Sequence, residues 1–230
     1  MVDSKVLIGV VTGEYARRAD FYDYYNLLEK PAGCVVLFCH DRSPAHGRNL
    51  IIEQALLNDC THVLFIDDDM AFDADSLNKL VADDKDIVSG LYLGRAYPHQ
   101  PLIFDYADEE GRCLYSYLEP DTPHLKKIVA AGFGFCLIKT SVFKRMEKPW
   151  VRLGELQSDE WCDDLGFFNR ARLSGIDDIW CDTSVRCGHI GTVIVWPKFE
   201  NGQWLTGYDT GGKGMLSTPQ ITSEMSDATP

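Results

Sequence analysis

The sequence His62-Val63-Leu64-Phe65-Ile66-Asp67-Asp68-Asp69 is a largely apolar run that ends in three consecutive carboxylates. An uninterrupted apolar run of this length is typical of a buried strand in a parallel sheet. In open α/β sheets, ligands bind beyond the carboxyl ends of the strands. Three adjacent acids at that place repel one another unless a cation neutralises them, so the run predicts a divalent metal site that also bridges diphosphate oxygens. The alternative is a turn before a helix, where the helix dipole favours acids.

Other apolar runs surround this strand in the sequence. Strands are predicted at 6–11, 35–38 and 87–92, and apolar residues at helical spacing predict helices at 48–57 and 75–81. Strands that alternate with helices indicate an α/β sheet with right-handed crossovers.

The pattern changes after about residue 95, where short runs predict hairpins and loops. A glycine-containing strand is predicted at 130–138, and a helix at 159–174 with Gly175 as its C-cap. Residues 210–230 are rich in glycine, serine and threonine, and we expect a polar, flexible tail there.

Composition limits the classes of function. The chain has 230 residues and a formal net charge of -13, so its surface as a whole repels nucleic acid and anionic membranes. Its eight cysteines form no CxxC pair, which indicates buried or free thiols in a reducing compartment. Neither a signal peptide nor an apolar segment of about 20 residues is apparent. We therefore expect a soluble protein of the cytoplasm, or of the host cytoplasm if the chain is viral.

An apolar strand that ends in acids also resembles the Walker B element of nucleoside triphosphatases. That interpretation needs a phosphate loop of the form G-x-x-x-x-G-K-[ST]. The stretch Gly211-Gly212-Lys213-Gly214 lacks this spacing, and no other stretch comes closer. The triphosphatase interpretation is therefore rejected.

A second acidic cluster lies in the stretch Asp159-Glu160-Trp161-Cys162-Asp163-Asp164-Leu165-Gly166-Phe167-Phe168-Asn169-Arg170. It is either a helix start favoured by the dipole or the source of a general base, because a carboxylate can remove the proton of an attacking hydroxyl. His189 follows Gly188, and the small neighbour allows close approach to a bound group. A zinc site built from Cys162, Cys181, Cys187 and His189 is an alternative, but its spacing matches no common zinc pattern.

Taken in order, the motifs between residues 6 and 191 resemble those of GT-A fold glycosyltransferases, in particular the inverting family 2-like members. The matching stretches are Val11-Thr12-Gly13, Gly47-Arg48-Asn49, Phe65-Ile66-Asp67-Asp68-Asp69, Ala131-Gly132-Phe133-Gly134-Phe135, Cys162-Asp163-Asp164-Leu165-Gly166 and Cys187-Gly188-His189-Ile190-Gly191. The third is similar to the family's DxD motif, and the fifth to its Glu-Asp helix motif. Asp163 stands where the family usually has Glu.

The resemblance implies a GT-A (Rossmann-like) α/β fold: a mixed, mainly parallel sheet flanked by helices, with a small acceptor-side β region. Residues 1–209 would form one domain, with a nucleotide-sugar half at about 1–94 and an acceptor half at about 95–209. The implied donor-binding residues are Val11, Thr12, Gly13, Tyr15, Arg48, Asp67 and Asp68. Asp69, Asp67 and His189 would bind Mn²⁺ or Mg²⁺. Asp164 would be the catalytic base with Asp163 orienting the acceptor, and the acceptor-binding residues would be Gly132, Phe133, Gly134 and Trp161.

The implied activity is that of a hexosyltransferase of the small bacterial or viral type. It would transfer a sugar from a nucleoside-diphosphate sugar, with UDP favoured, to a hydroxyl of a glycan, glycoprotein or small molecule, with inversion. A DNA acceptor is disfavoured by the negative charge. Two alternatives remain. A sugar-nucleotide pyrophosphorylase uses a related sheet, but residues 12–18 lack the extra glycines of its loop. A non-catalytic nucleotide- or carbohydrate-binding module of the same fold is the other.

Overall fold

A computed structural model of the chain describes residues 4–12, 19–40, 43–107, 113–153, 163–209 and 215–219. The helices are α1 (Ala19–Leu27), α2 (Pro44–Leu57), α3 (Ser76–Ala82), α4 (Thr140–Lys144) and α5 (Asp163–Leu173). The first strands are β1 (Val6–Val11), β2 (Val35–Cys39), β3 (His62–Asp67), β4 (Met70–Phe72), β5 (Ile87–Leu91), β6 (Ile103–Ala107) and β7 (Cys113–Tyr115). The later strands are β8 (Leu125–Lys127), β9 (Ala130–Ala131), β10 (Phe135–Lys139), β11 (Ile179–Ile190), β12 (Ile194–Glu200), β13 (Gln203–Asp209) and β14 (Met215–Pro219).

Most strands belong to one mixed sheet of 11 strands with the order β14-β13-β12-β11-β5-β10-β3-β1-β2, while β4 and β8 pair with β11 off this path. Parallel pairing joins β1 to β2 and β3, and β5 to β11. A separate sheet of three strands, β7-β6-β9, forms the smaller β region. The predicted fold class, a mixed sheet of GT-A type flanked by helices, is confirmed.

Apolar side chains cover both faces of the large sheet. On β1, Leu7 belongs to the core beneath α2, α4 and α5, whereas Ile8 belongs to the core beneath α1 and α3. Gly9 lets α2 pack directly on this strand, because a Cβ there would lie 2.4 Å from a methyl of Ile51. The apolar runs of the sequence therefore mark buried strands as predicted. The exception is β2, an edge strand on which Val36 is exposed.

Three elements differ from the sequence prediction. Helix α2 begins at Pro44 rather than at residue 48, because Ser43 caps it by accepting a hydrogen bond from the backbone N–H of His46. The predicted strand 130–138 is two strands, β9 and β10, in two different sheets. Between the two strands, the backbone N–H of Gly132 donates to the carbonyl of Leu102 and the carbonyl of Gly134 accepts from Asp67, and both glycines lie against the side chain of Tyr92. The predicted helix 159–174 is described from Asp163 onward as α5.

The last third of the described chain extends the large sheet. Strand β11 runs through a register shift between Asp182 and Arg186, and its far end pairs with β4 directly after the acidic triplet. A tight turn at Asn201 and Gly202, both with positive φ, joins β12 to β13. Residues 215–219, within the segment predicted to be a flexible tail, form β14 and pair with β13, because an edge strand offers backbone partners to any sequence. None of the described helices has the length and apolarity to cross a bilayer.

Candidate active site

The acidic triplet lies at the carboxyl ends of the two central parallel strands. Asp67 is the last residue of β3 and is opposite Val11, the last residue of β1. Thr12 follows and is buried, with its hydroxyl bonded to the carbonyl of Cys39 and its backbone N–H donating to the same oxygen. The predicted donor-side residues Val11, Thr12 and Asp67 are therefore adjacent. Gly13 and Tyr15 lie outside the described residues.

Arg48 connects the acidic triplet to helix α5. Its guanidinium is buried, with Nη2 donating to Oδ1 of Asp67 at 2.8 Å and Nη1 donating to Oδ2 of Asp163 at 2.5 Å. The same guanidinium lies over the ring of Phe133, 4.7 Å from its centroid. The two terminal nitrogens of one guanidinium thus bind two carboxylates from separate elements, a geometry for which arginine is suited, and we call this arrangement the Arg48 fork.

The ionisable groups around Arg48 strongly affect one another's pKa values. Burial, opposed by Arg48 and reinforced by the acids Asp69, Asp163 and Asp164, raises the pKa of Asp67 to about 6. Burial alone would lower the pKa of Arg48, but Asp67, Asp163 and Asp164 outweigh it, and the pKa lies above the usual arginine value. The acids around Arg48 therefore outnumber the one buried guanidinium that they share, which favours a further cation or a ligand that donates hydrogen bonds.

Asp164, the predicted base, lies in the first turn of α5, next to the buried Asp163. Its Oδ1 accepts the backbone N–H of Leu165 at 2.9 Å, which orients the carboxylate at the helix start. Asp164 also lines a pocket of about 210 Å³ between α5 and the three-stranded sheet, together with Leu102, Phe104, Cys113, Tyr115, Gly132 and Leu165. The predicted base thus faces a cavity with aromatic and aliphatic walls, whereas Asp163 faces Arg48.

The glycine-rich stretch at 130–138 packs closely against the side chain of Tyr92. The Tyr92 hydroxyl accepts the backbone N–H of Gly134 at 3.1 Å, and a Cβ on Gly132 would lie only 2.0 Å from that oxygen. Phe133 is buried among Phe65, Phe167 and Phe168, so its ring is a core contact rather than an acceptor surface. Of the acceptor residues suggested by the resemblance, Gly132 lines the pocket beside Asp164, and Trp161 lies outside the described residues.

Of the three predicted metal ligands, Asp69 and His189 lie together and are the candidate metal pair, whereas the carboxylate of Asp67 is bound by Arg48. The Nε2 atom of His189 lies 3.5 Å from Oδ2 of Asp69, and strand pairing places His189 opposite Met70. The His189 Nδ1 lies 2.9 Å from the carbonyl of Leu93, an arrangement that directs Nδ1–H to the carbonyl and leaves Nε2 as the ligating nitrogen. Two ligand atoms that share one ion at about 2.1 Å lie roughly 3–4 Å apart, so this pair fits a divalent ion.

Over the parts of the chain that are described, no three His, Cys, Asp or Glu side chains are grouped to hold a metal ion by themselves. A two-ligand arrangement is what Mg²⁺ and Mn²⁺ use when substrate phosphates and water complete the coordination. The zinc alternative finds no support among the described residues, where Cys181 and Cys187 are buried in the sheet and group with no third ligand; Cys162 lies outside the described residues.

Two further residues, Tyr92 and Arg95, complete the site. Tyr92 lies at its centre, with its ring 5.6 Å from that of His189. Burial raises the pKa of Tyr92 well above its usual value, and Asp67 and Asp164 add to the effect. Arg95 donates to Oδ2 of Asp69 at 3.0 Å. In the sequence, Tyr92 is the last residue of the predicted strand 87–92, and Arg95 follows shortly after it, at the carboxyl end that faces the ligand-binding edge.

Comparison with known proteins identifies the fold. The chain matches no protein-family model and no curated protein. It is similar to the crystal structure of A197 from STIV, with 16% identity, a TM-score of 0.58 and 95% of both chains covered. Weaker similarity is found to S. aureus TarS in complex with UDP-GlcNAc, with 13% identity, a TM-score of 0.46 and 77% of this chain covered. This chain spans 55% of the length of that TarS structure.

The mixed sheet flanked by helices has a GT-A-like fold. At these levels of identity, the structural similarity establishes the fold alone.

Proposed function

We propose that the protein is a metal-dependent, inverting glycosyltransferase that uses a nucleoside-diphosphate sugar, with UDP favoured, and a hydroxyl acceptor. The observation that carries the proposal is the Arg48 fork, which joins Asp67 at the donor end of β3 to Asp163 on the helix that bears the candidate base. If residues 67–69 formed only a structural turn, a buried arginine that also binds an acid of helix α5 would not be required. This link supports a site at which two substrates meet.

The donor would bind across the carboxyl ends of β1 and β3. Val11, Thr12 and Asp67 lie there, and the resemblance in sequence assigns them to the nucleotide and its sugar. Asp69 and His189 would hold Mn²⁺ or Mg²⁺, which supplies charge neutralisation for the leaving nucleoside diphosphate when bound. Arg48 is already occupied by two carboxylates, so its role in this scheme is to position them rather than to contact the donor.

The acceptor would enter the pocket beside Asp164. The Asp164 carboxylate would accept the proton of the acceptor hydroxyl as that oxygen attacks the anomeric carbon, and the nucleoside diphosphate would leave from the opposite face. Asp163 would keep the start of α5 fixed through its bond to Arg48. Tyr92, which is buried between the nucleotide-sugar half and the acceptor half, would keep Asp164 and the acids at the end of β3 in fixed relative positions.

The test is sugar transfer by wild type and by Asp164→Asn. Wild type is incubated with each of several nucleotide sugars and a panel of hydroxyl acceptors, and the released nucleoside diphosphate is measured. Asp164→Asn is expected to lower kcat about a hundred- to ten-thousandfold, the usual contribution of a general base, while nucleotide affinity changes little. Asp75→Asn is the matched control, because Asp75 also lies at a helix start but forms its ion pair with Lys79 at the surface. Turnover of Asp164→Asn equal to that of the control would reject Asp164 as the base. Donor binding without turnover under any acceptor would favour the non-catalytic module.

A further inference from the structure

Arg95 occupies the candidate metal pair in this structure. Its Nη1 atom lies 3.0 Å from Oδ2 of Asp69, the same oxygen that lies 3.5 Å from Nε2 of His189. The same Nη1 donates to the carbonyl of Ile190 at 3.3 Å. A cation of the protein itself is therefore bound at the oxygen that a divalent ion would use.

The surroundings allow this arginine to move. Its side chain is 45% exposed, and it lies in the segment between Leu93 and Pro101, which pair with each other. Gly191 lies under its aliphatic part, since a Cβ at that position would be 3.4 Å from Cδ of Arg95. Because residue 191 has no side chain, the guanidinium is held by its two hydrogen-bond acceptors and not by packing from that side. Half-exposed ion pairs of this kind are weak, so exchange of the partner costs little.

A divalent ion and a guanidinium compete for Oδ2 of Asp69, because two cations at contact distance from one oxygen repel each other. Binding of the ion therefore favours release of Arg95 from Asp69. A diphosphate bound to the same ion then offers Arg95 an acceptor with more negative charge than the carboxylate and with two oxygens that the planar guanidinium can bind side by side.

We propose that Arg95 is an exchangeable counter-ion: it neutralises Asp69 in the free protein and binds the donor diphosphate once a divalent ion replaces it. The inference rests on the proposed function for its second half only. Exchange at Asp69 concerns the metal ion alone, and it can be measured without a nucleotide. Arg95 would then be a catalytic residue that stabilises the leaving group, the role for which Arg48 is not available.

The experiment compares Arg95→Gln with wild type by calorimetry in two titrations. Titration with Mn²⁺ alone is expected to show about two- to fivefold tighter binding to Arg95→Gln, because the variant has lost a competing ion pair of the half-exposed kind. Titration with a nucleoside diphosphate in saturating Mn²⁺ is expected to show about tenfold weaker binding, the loss of one charge-assisted phosphate contact. The nucleotide is whichever of UDP, GDP and dTDP wild type binds most tightly. Effects of opposite sign distinguish exchange from a merely structural role, which would weaken both.

Arg145→Gln is a matched control. Arg145 is also 45% exposed and also donates to one carboxylate, that of Asp86, and to one backbone carbonyl, that of Gly175. It lies away from the acidic triplet, so both titrations of this variant should equal those of wild type. Thermal unfolding checks that each variant is folded, and Arg95→Lys, which keeps the charge, should lie between wild type and Arg95→Gln in both titrations.

The outcomes separate the two ideas. Unchanged or weaker Mn²⁺ binding by Arg95→Gln, or no Mn²⁺ binding by either protein, would overturn the exchange at Asp69. Tighter Mn²⁺ binding with unchanged nucleotide affinity would overturn the contact between Arg95 and the diphosphate. Failure of wild type to bind any of the three nucleotides would contradict the proposed function and with it that contact, while the Mn²⁺ titrations would still decide the exchange.

Discussion

Replacing Gly132 with alanine places a methyl group 2.0 Å from the hydroxyl oxygen and 3.0 Å from the adjoining ring carbon of Tyr92. The overlap with the oxygen exceeds what side-chain adjustment absorbs in a buried site, and overpacking of this kind costs about 1–3 kcal/mol. Tyr92→Phe removes the oxygen and leaves the buried N–H of Gly134 without its partner, which costs about 1–3 kcal/mol. In the double variant the added methyl no longer meets an oxygen. The two costs should therefore not add.

We expect the double variant Gly132→Ala/Tyr92→Phe to be about 1–2 kcal/mol more stable than the sum of the single variants predicts, a coupling typical of residues in direct contact. Gly134 supplies the comparison. A Cβ there would lie 2.8 Å from the same ring carbon of Tyr92, 2.9 Å from its hydroxyl oxygen and 3.0 Å from the sulfur of Met70, so removal of the hydroxyl relieves only part of the overlap. The coupling between Gly134→Ala and Tyr92→Phe should therefore be smaller than in the Gly132 cycle.

The assay is the free energy of unfolding in urea for the six proteins of the two cycles, including wild type. A stable Gly132→Ala variant with impaired activity would refute the reasoning, because it would show that the glycine is needed for a ligand and not for Tyr92. Equal coupling in both cycles would refute it as well, since the distances distinguish the two glycines.

Arg48→Met should destabilise the fold by about 3–5 kcal/mol in urea unfolding, because it leaves the carboxylates of Asp67 and Asp163 without their buried partner; a cost below about 1 kcal/mol would contradict the fork as a structural link. Burial, then the neighbouring Asp182, raises the pKa of Asp83 to about 6. Because the folded value exceeds the unfolded one, the stability contributed by protonated Asp83 is present below pH 4 and is lost as pH rises through about 6. Asp83→Asn should therefore match wild type at pH 4 and exceed its stability at pH 8 by on the order of 1 kcal/mol; an equal difference at both pH values would show that the carboxyl does not titrate as described.

Much of the fold could be predicted from the sequence because its central strands are apolar on both faces. The runs at 6–11, 62–66 and 87–92 correspond to β1, β3 and β5 within one residue at each end. The large sheet beyond β11 was missed, because its strands pair at an exposed side of the sheet and their apolar periodicity is weak. A local signal was available in the Asn201-Gly202 pair, which is typical of a hairpin turn.

Helix starts were less predictable than strands. Ser43 and Pro44 mark the start of α2 by capping chemistry, but they contribute nothing to the apolar spacing from which the helix was predicted. The division of 130–138 into two strands follows from pairing with strands distant in sequence, β6 for β9 and β3 with β5 for β10, so no local pattern contained it.

The candidate site, like the fold, could be predicted from the sequence only in part. Acids at the end of a buried strand are visible in the sequence, since both their position and their spacing are local. The partners of those acids are not. Arg48 was expected to contact a donor and instead holds two carboxylates, because its burial between α2 and α5 is set by tertiary packing. Arg95 reaches Asp69 from a separate segment, and only the fold places the two together.

The central claim is that the site at the end of β3 binds a nucleotide sugar through a divalent ion. It is tested most directly by calorimetric titration of UDP-, GDP- and dTDP-sugars into wild type and Asp69→Ala, with and without Mn²⁺. We predict binding of one nucleotide by wild type that requires Mn²⁺ and is lost in Asp69→Ala. Absence of binding to every nucleotide sugar by a folded wild-type sample, or equal binding by Asp69→Ala, would contradict the claim.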